Sequence, residues 1–195
     1  RSPMRRSLGI IPIALACLAA TPKSDLAKNQ AALEATFLDK PVVLAGRTST
    51  GGKFSTADLK GKIILVEFWG AWCPDCQAAA PTMRDLYAKY HDKGVEFVGI
   101  NCDKSDQICN DFTSKEKLPW PELREDKDVT MHPLADQFGV WWVPTLWIID
   151  KDGILRTIDT DTNPSAALDK LLTTLHPRIA ACSLNISASD NACVV

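Results

Sequence analysis

Histidine is scarce. The 195 residues hold three, His91, His132 and His176, and no two of them stand three to five positions apart. That spacing, joined to a cysteine pair, is what a mixed structural zinc site uses, and a four-cysteine site would need a second C-x-x-C that the chain lacks. No metal is expected. There is no basic run either: 22 Lys and Arg face 24 Asp and Glu for a net charge of −2, so the electrostatic footprint of a nucleic-acid binder is missing. No internal repeat is present. The apolar stretch of residues 8–18 is too short for a comfortable membrane span, which takes about 20 residues. What remains, with 46% hydrophobic and 24% charged residues of both signs, is the composition of a soluble domain that buries a real core.

The first residues read as a targeting segment. Met4, Arg5 and Arg6 supply a positive start, LGIIPIALACL (8–18) an apolar stretch, and small residues follow. Cleavage fits before Cys17 or near Ala19 and Ala20. A cut before Cys17 would resemble lipoprotein processing, although Ala14 stands where leucine is usual. Secretion, anchoring and a buried N-terminal helix stay open, and the first two take the domain out of the cytoplasm. The expected organisation is a signal or anchor over 1–23, a linker or short helix over 24–40, one domain over 41–176 and a tail over 177–195. Seven cysteines suit such a compartment. Apart from Cys17 they fall into near pairs: Cys73 and Cys76, Cys102 and Cys109, Cys182 and Cys193. For the last two pairs structural disulfides and buried thiols are both open, and for Cys102 and Cys109 so is an electron relay.

Hydrophobic patterning predicts the elements. PVVLAG (41–46) reads as a strand. Ser55 caps a short turn, and IILVEFW (63–69) is an apolar β-forming run interrupted only by Glu67, as in a strand buried on both faces. A helix with an apolar stripe runs from Cys73 to about Tyr90, and VEFVGIN (95–101) is the next strand. A helix over 105–117 follows, then KLPWPEL as a proline-framed connection and a short helix over 133–138. TLWIID (145–150) and ILRTID (154–159), joined by KDG, predict an antiparallel hairpin. Asn163 and Pro164 open a helix to about His176. Alternating strands and helices, closed by a hairpin and a helix, imply an α/β fold with a mixed central sheet and helices on both faces.

One pair carries chemistry. In EFWGAWCPDCQ (67–77) the strand ends just before Cys73 and a helix begins there. Free backbone N–H groups and the positive end of the helix dipole favour a thiolate, which is the nucleophile of disulfide exchange. Cys76, one turn on, can resolve the mixed disulfide. Pro74 fits the first turn, where no N–H bond is lost. Asp75 sets a negative charge beside Cys73, which disfavours the thiolate and leans the pair toward a reductant; an acid favouring its own helix's first turn explains it equally well.

WCPDC after a β run, with VPTLWIID about seventy residues later, resembles the thioredoxin superfamily. The closer likeness is to the TlpA/ResA group of exported thiol-disulfide oxidoreductases. DLKGKIILVEFWGAWCPDC, AAAPTM, VEFVGIN, KLPWPEL, FGVWWVPT and IIDKDGIL carry it, over nearly all of 41–160. The resemblance implies a thioredoxin-like fold in which Pro144 is a cis proline facing the cysteines and Val143 presents its backbone to a substrate strand. It also implies that Trp72 lies on the surface partner chains cover, and that Pro81 kinks the active-site helix. Glu67 stands where thioredoxin has a buried Asp. Burial would raise its pKa and fit it to take the Cys76 proton; a strand glutamate reaching water or pairing with a lysine is the alternative.

The expected function is a thiol-disulfide oxidoreductase acting on protein disulfides in the periplasm or cell envelope, secreted or membrane-anchored, and monomeric. Cys73 attacks, Cys76 resolves and Glu67 assists, while Trp72, Val143 and Pro144 shape the contact. No organic cofactor is implied, because electrons come from an upstream dithiol protein. A peroxiredoxin-like thiol peroxidase is the alternative enzyme, but it needs one peroxidatic cysteine in a threonine-containing loop. A metallochaperone-type module is the non-enzymatic alternative; copper-delivering relatives space their cysteines one residue further apart and add a downstream histidine.

Overall fold

A computed structural model describes residues 22–124, 133–159 and 163–173. Residues 1–21 of the expected targeting segment, with Cys17, and the expected tail with Cys182 and Cys193 lie outside the described residues. So do His132 and His176.

The chain enters through α1 (Pro22–Phe37) and a small antiparallel pair, β1 (Ala45–Arg47) and β2 (Lys53–Ser55). A 3-10 turn over Thr56–Leu59 is capped by Ser55, whose hydroxyl accepts from the Ala57 N–H. Then come β3 (Ile63–Trp69), α2 (Pro74–Tyr90), β4 (Val95–Asn101), α3 (Asp106–Glu116), β5 (Glu122–Leu123), α4 (Pro133–Gln137), β6 (Thr145–Ile149), β7 (Leu155–Asp159) and α5 (Ser165–Thr173). Five strands form one mixed sheet in the order β5-β4-β3-β6-β7. β3, β4 and β5 run parallel, while β6 and β7 add antiparallel pairings on the other side.

β3 is central, and all seven of its residues are buried. Its side chains split by parity, as a strand pleat demands. Ile64, Val66 and Phe68 join a core that includes Leu33 of α1, Cys109 of α3 and Trp147 of β6. Ile63 and Leu65 join another with Met83, Leu86 and Tyr90 of α2 and Leu168 of α5. Helices therefore cover both faces, the arrangement the strand–helix alternation predicts.

Two expectations shift. Residues 41–46 were expected as a strand, but the strand starts at Ala45 and Pro41 makes only an isolated bridge to Ile154. Proline has no N–H for a ladder. The KLPWPEL connection contains β5, which pairs with β4 through Gly99 and Ile100. A two-residue strand has no period to read; its partner defines it.

Aromatic packing fills the core on the α1 side. The Trp147 indole meets Phe68 at 5.1 Å, Phe138 at 5.4 Å and Phe37 at 5.9 Å between ring centroids. Its N–H is buried without a hydrogen-bond partner among the described residues. An unpaired donor contributes nothing to offset its desolvation, so shape and apolar area dominate. Trp147→Ala is expected to cost about 3–5 kcal/mol in urea unfolding, and Trp147→Phe, which keeps one ring and leaves a smaller cavity, clearly less. Similar large losses in both would show that the indole N–H has a partner.

Candidate active site

The site is built where β3 stops. The Trp69 carbonyl accepts from the Cys102 N–H at 2.8 Å, which ties the exits of β3 and β4 together. The next turn, Gly70 to Trp72, is held by Asp103, whose carboxylate accepts from the Ala71 N–H at 2.9 and 3.1 Å. Asn101 fixes Asp103 in turn, donating from Nδ2 to Oδ2 at 2.6 Å. Trp72 folds back over Gly70: a β-carbon there would fall 2.5 Å from the indole nitrogen, so a larger residue would displace the indole from this pose. The indole is 56% exposed, and its N–H donates to the Cys102 carbonyl at 3.4 Å.

Cys73 is the N-cap of α2, and its sulfur accepts from the Cys76 N–H at 3.4 Å. Pro74 occupies the first turn, and Asp75 beside it is exposed. Pro81 lies inside the helix. The Cys73 thiol donates to the Val143 carbonyl at 3.6 Å, and the Val143–Pro144 bond is cis. That loop is secured by Thr145, whose hydroxyl donates to the Trp142 carbonyl at 2.7 Å. Cys73, Val143 and Pro144 thus meet, with Trp72 at the rim. Trp141 and Trp142, not singled out from the sequence, are exposed just upstream of Val143.

Cys76 is buried one turn along α2. Burial pushes its thiol up strongly, with further contributions from the Cys73 hydrogen bond and from the charges of Cys73 and Glu67. Glu67 therefore lies within electrostatic reach of the Cys76 thiol. It is 5% exposed, and burial raises its carboxyl from the ordinary 4.5 to about 8. A base working near neutral pH needs a pKa in that range.

Cys73, Cys76 and Cys109 are free thiols. Cys102 and Cys109 are both buried, and burial pushes the Cys109 thiol up, with the charges of Glu122 and Asp103 adding to it. Sequence reasoning also missed two acids. Asp103 acts across 32 positions on a backbone N–H, for which no pattern exists. Glu122 is an acid buried in β5, 4% exposed, and its Oε2 accepts from the Trp69 indole at 2.7 Å. Its one sequence signal was a charge within KLPWPEL.

With this geometry in place, comparison with known proteins gives a consistent picture. The profile of the AhpC/TSA family matches residues 28–158. A thiol-disulfide oxidoreductase ResA of Bacillus thuringiensis (strain Al Hakam) is 38% identical over 103 residues, 53% of this chain and 57% of the relative. The chain thus spans little more than half the length of that relative. Among solved structures, the thioredoxin domain of a Bacteroides vulgatus thiol-disulfide oxidoreductase superposes with a TM-score of 0.62 at 21% identity, over 70% of this chain and 98% of that one. A secreted Mycobacterium tuberculosis disulfide oxidoreductase, described as homologous to E. coli DsbE, gives 0.52 at 31% identity, over 71% and 95%. The fold is thioredoxin-like.

Glu67 makes stability depend on pH in a definite direction. Between about pH 4.5 and 8 the unfolded chain has lost this proton and the folded chain keeps it. Folding then takes up a proton, so stability falls as pH rises, by at most about 1.4 kcal/mol per unit. Glu67→Gln is expected to flatten that slope in urea melts compared at pH 5 and pH 8. An unchanged slope would mean that the carboxylate reaches water.

Proposed function

The chain belongs to the AhpC/TSA family, and on that premise we propose that it is a thiol-disulfide oxidoreductase acting on protein disulfides outside the cytoplasm. One observation carries the reading: two thiols one helical turn apart, the first capping α2 and facing the Val143 carbonyl, the second within reach of a buried carboxyl group. The names of the ResA and DsbE-like relatives support it.

In the reducing direction Cys73, as thiolate, attacks one sulfur of a substrate disulfide. The substrate S–S bond breaks, a mixed disulfide forms, and the first substrate thiolate leaves to be protonated. Cys76 then gives its proton to Glu67, and its sulfur attacks that of Cys73. The second substrate thiol departs, and Cys73 and Cys76 are left oxidised. Two electrons and two protons have passed to the substrate, so an upstream dithiol must restore the pair. The Cys76 N–H aimed at the Cys73 sulfur is the contact a leaving thiolate takes. Val143 and Pro144, with Trp72, receive the substrate strand, and Pro74 and Asp75 tune the pair toward reduction.

The positive, apolar and small-residue pattern of residues 1–20, together with similarity to a secreted relative, supports an extracytoplasmic site. Among the described residues no helix is long and apolar enough to cross a membrane. A secreted or tethered monomer is the form this reading takes.

Cys73→Ser is expected to abolish reduction of insulin disulfides. Cys76→Ser should keep the first attack and accumulate a mixed disulfide visible by non-reducing electrophoresis. A reduction potential near about −270 mV would fit a reductant, and one near about −120 mV an oxidant. Fast peroxide turnover that persists in Cys76→Ser would replace the reading with a thiol peroxidase.

A further inference from the structure

Three residues in one register row cross the sheet from its centre to its edge: Glu67 on β3, Gly99 on β4 and Glu122 on β5. Opposed residues on neighbouring strands share a face, and the middle one here has no side chain. A β-carbon at Gly99 would fall 1.8 Å from Oε2 of Glu122. The Glu122 carboxyl group therefore lies over β4, turned from the edge strand toward Glu67. With strands about 4.8 Å apart, it sits about one strand spacing from the stem of Glu67.

Trp69 holds this pose through the 2.7 Å bond from its indole N–H to Oε2. Oε1 has no well-aligned partner among the described residues, although the Trp120 indole lies near enough to favour the anion. Charged and titratable groups face the two acids from every side. Asp103 comes from the segment after β4, Cys109 from α3, and Cys76 from α2, with Cys73 beside Cys76 at the helix cap. Arg124, just after β5, is engaged by the Asp106 carboxylate at 2.7 Å and by the Asp103 carbonyl. Burial pushes Glu122 well up, opposed by the Trp69 bond, and the like charges of Glu67 and Asp103 push it further. Two buried acids so placed do not both ionise without a large penalty.

We propose that Glu122 is a positioning residue for the proton step at Cys76: with Glu67 it forms one carboxyl pair across Gly99 that holds a single proton between β5 and β3. This rests on the thiol-disulfide reading above and deepens it. The step starts from the form reached as pH approaches about 8, in which Glu67 has given up its proton and Glu122 keeps its own. When Cys76 attacks, its S–H bond breaks, the proton forms an O–H bond on Glu67, the sulfur's electron pair forms the bond to Cys73, and the bond from Cys73 to the substrate sulfur breaks, so that the substrate leaves as a thiolate that takes its proton from water. Glu67 is then neutral, the like charge that kept Glu122 protonated is gone, and Glu122 releases its proton to water. The pair carries one negative charge before and after, so the core accepts the Cys76 proton with no change in its net charge. Glu122 touches neither thiol and acts only through Glu67.

The test is a carbon NMR titration of the glutamate side-chain carboxyl groups in the reduced full-length chain, in wild type, Glu67→Gln and Glu122→Gln. In wild type the Glu67 and Glu122 signals should each follow two shared steps. In Glu67→Gln the Glu122 signal should follow one step, its midpoint lower by about one pH unit or more. In Glu122→Gln the Glu67 signal should lose its second step. Glu122 curves that superimpose in wild type and Glu67→Gln would overturn the pair. Should a variant fail to fold, wild type decides alone: shared steps support the pair, and independent single steps overturn it. Insulin reduction by the same wild-type sample is scored separately. Shared steps without reduction support the pair and overturn the redox reading, and reduction with independent steps does the reverse.

Discussion

β3 offers no residue to solvent, so a glutamate at its fifth position has nowhere to put a charge except against the protein itself. A carboxylate in that setting lacks the water that would normally stabilise it, and it holds its proton to about pH 8. The rest of the site follows from that constraint. α2 starts immediately beyond the strand, which brings Cys76 into the field of Glu67, and β4 and β5 line up so that a second acid shares the row. Were β3 an edge strand, Glu67 would reach water and titrate as an ordinary surface acid, with little to offer a buried thiol.

The turn between β3 and α2 shows how little freedom the site has. Ala71 is held by the Asp103 carboxylate, Trp69 by the Cys102 N–H, and Cys73 by its own N–H to the Gly70 carbonyl at 3.0 Å. These bonds come from the end of β4 or from the turn itself, so the cysteine loop moves only if the parallel pairing of β3 and β4 moves. In the proposed exchange, a thiol that receives an incoming sulfur in line and is attacked by a second sulfur one turn away would gain from such fixed geometry. The rim beside it carries Trp72, Trp141 and Trp142, large side chains left exposed.

Residues with a local signal were legible in the sequence. β3, β4 and β6 are runs of β-forming apolar residues, and Ser105 and Asn163 are caps whose side chains accept backbone N–H groups of the next helices. Cys73 and Cys76 declare themselves by spacing, and Glu67 by being the one charge in an apolar run. Residues whose role depends on pairing across the sheet were not legible. Glu122 reads as a polar residue in a proline-rich connection until β5 is paired with β4. Asp103 reads as a loop aspartate until the Ala71 N–H arrives. β1 begins later than its apolar run suggests because hydrogen bonding to β2, rather than composition, sets its bounds.

Gly99 joins these two classes. A glycine inside a central strand weakens it, since it packs no side chain and its backbone is costly to order. Here the missing side chain is the space the Glu122 carboxyl group fills, and even a methyl group would overlap Oε2. The strand gives up local stability at one position, and an acid from the edge reaches toward the centre of the sheet. Trp69 supplies the donor that keeps that acid from being buried wholly unpaired. Glycine, tryptophan and two glutamates on three strands are therefore one physical unit. Replacing any of them by a generic β-former would relieve a local penalty and dismantle the polar row beneath the thiols.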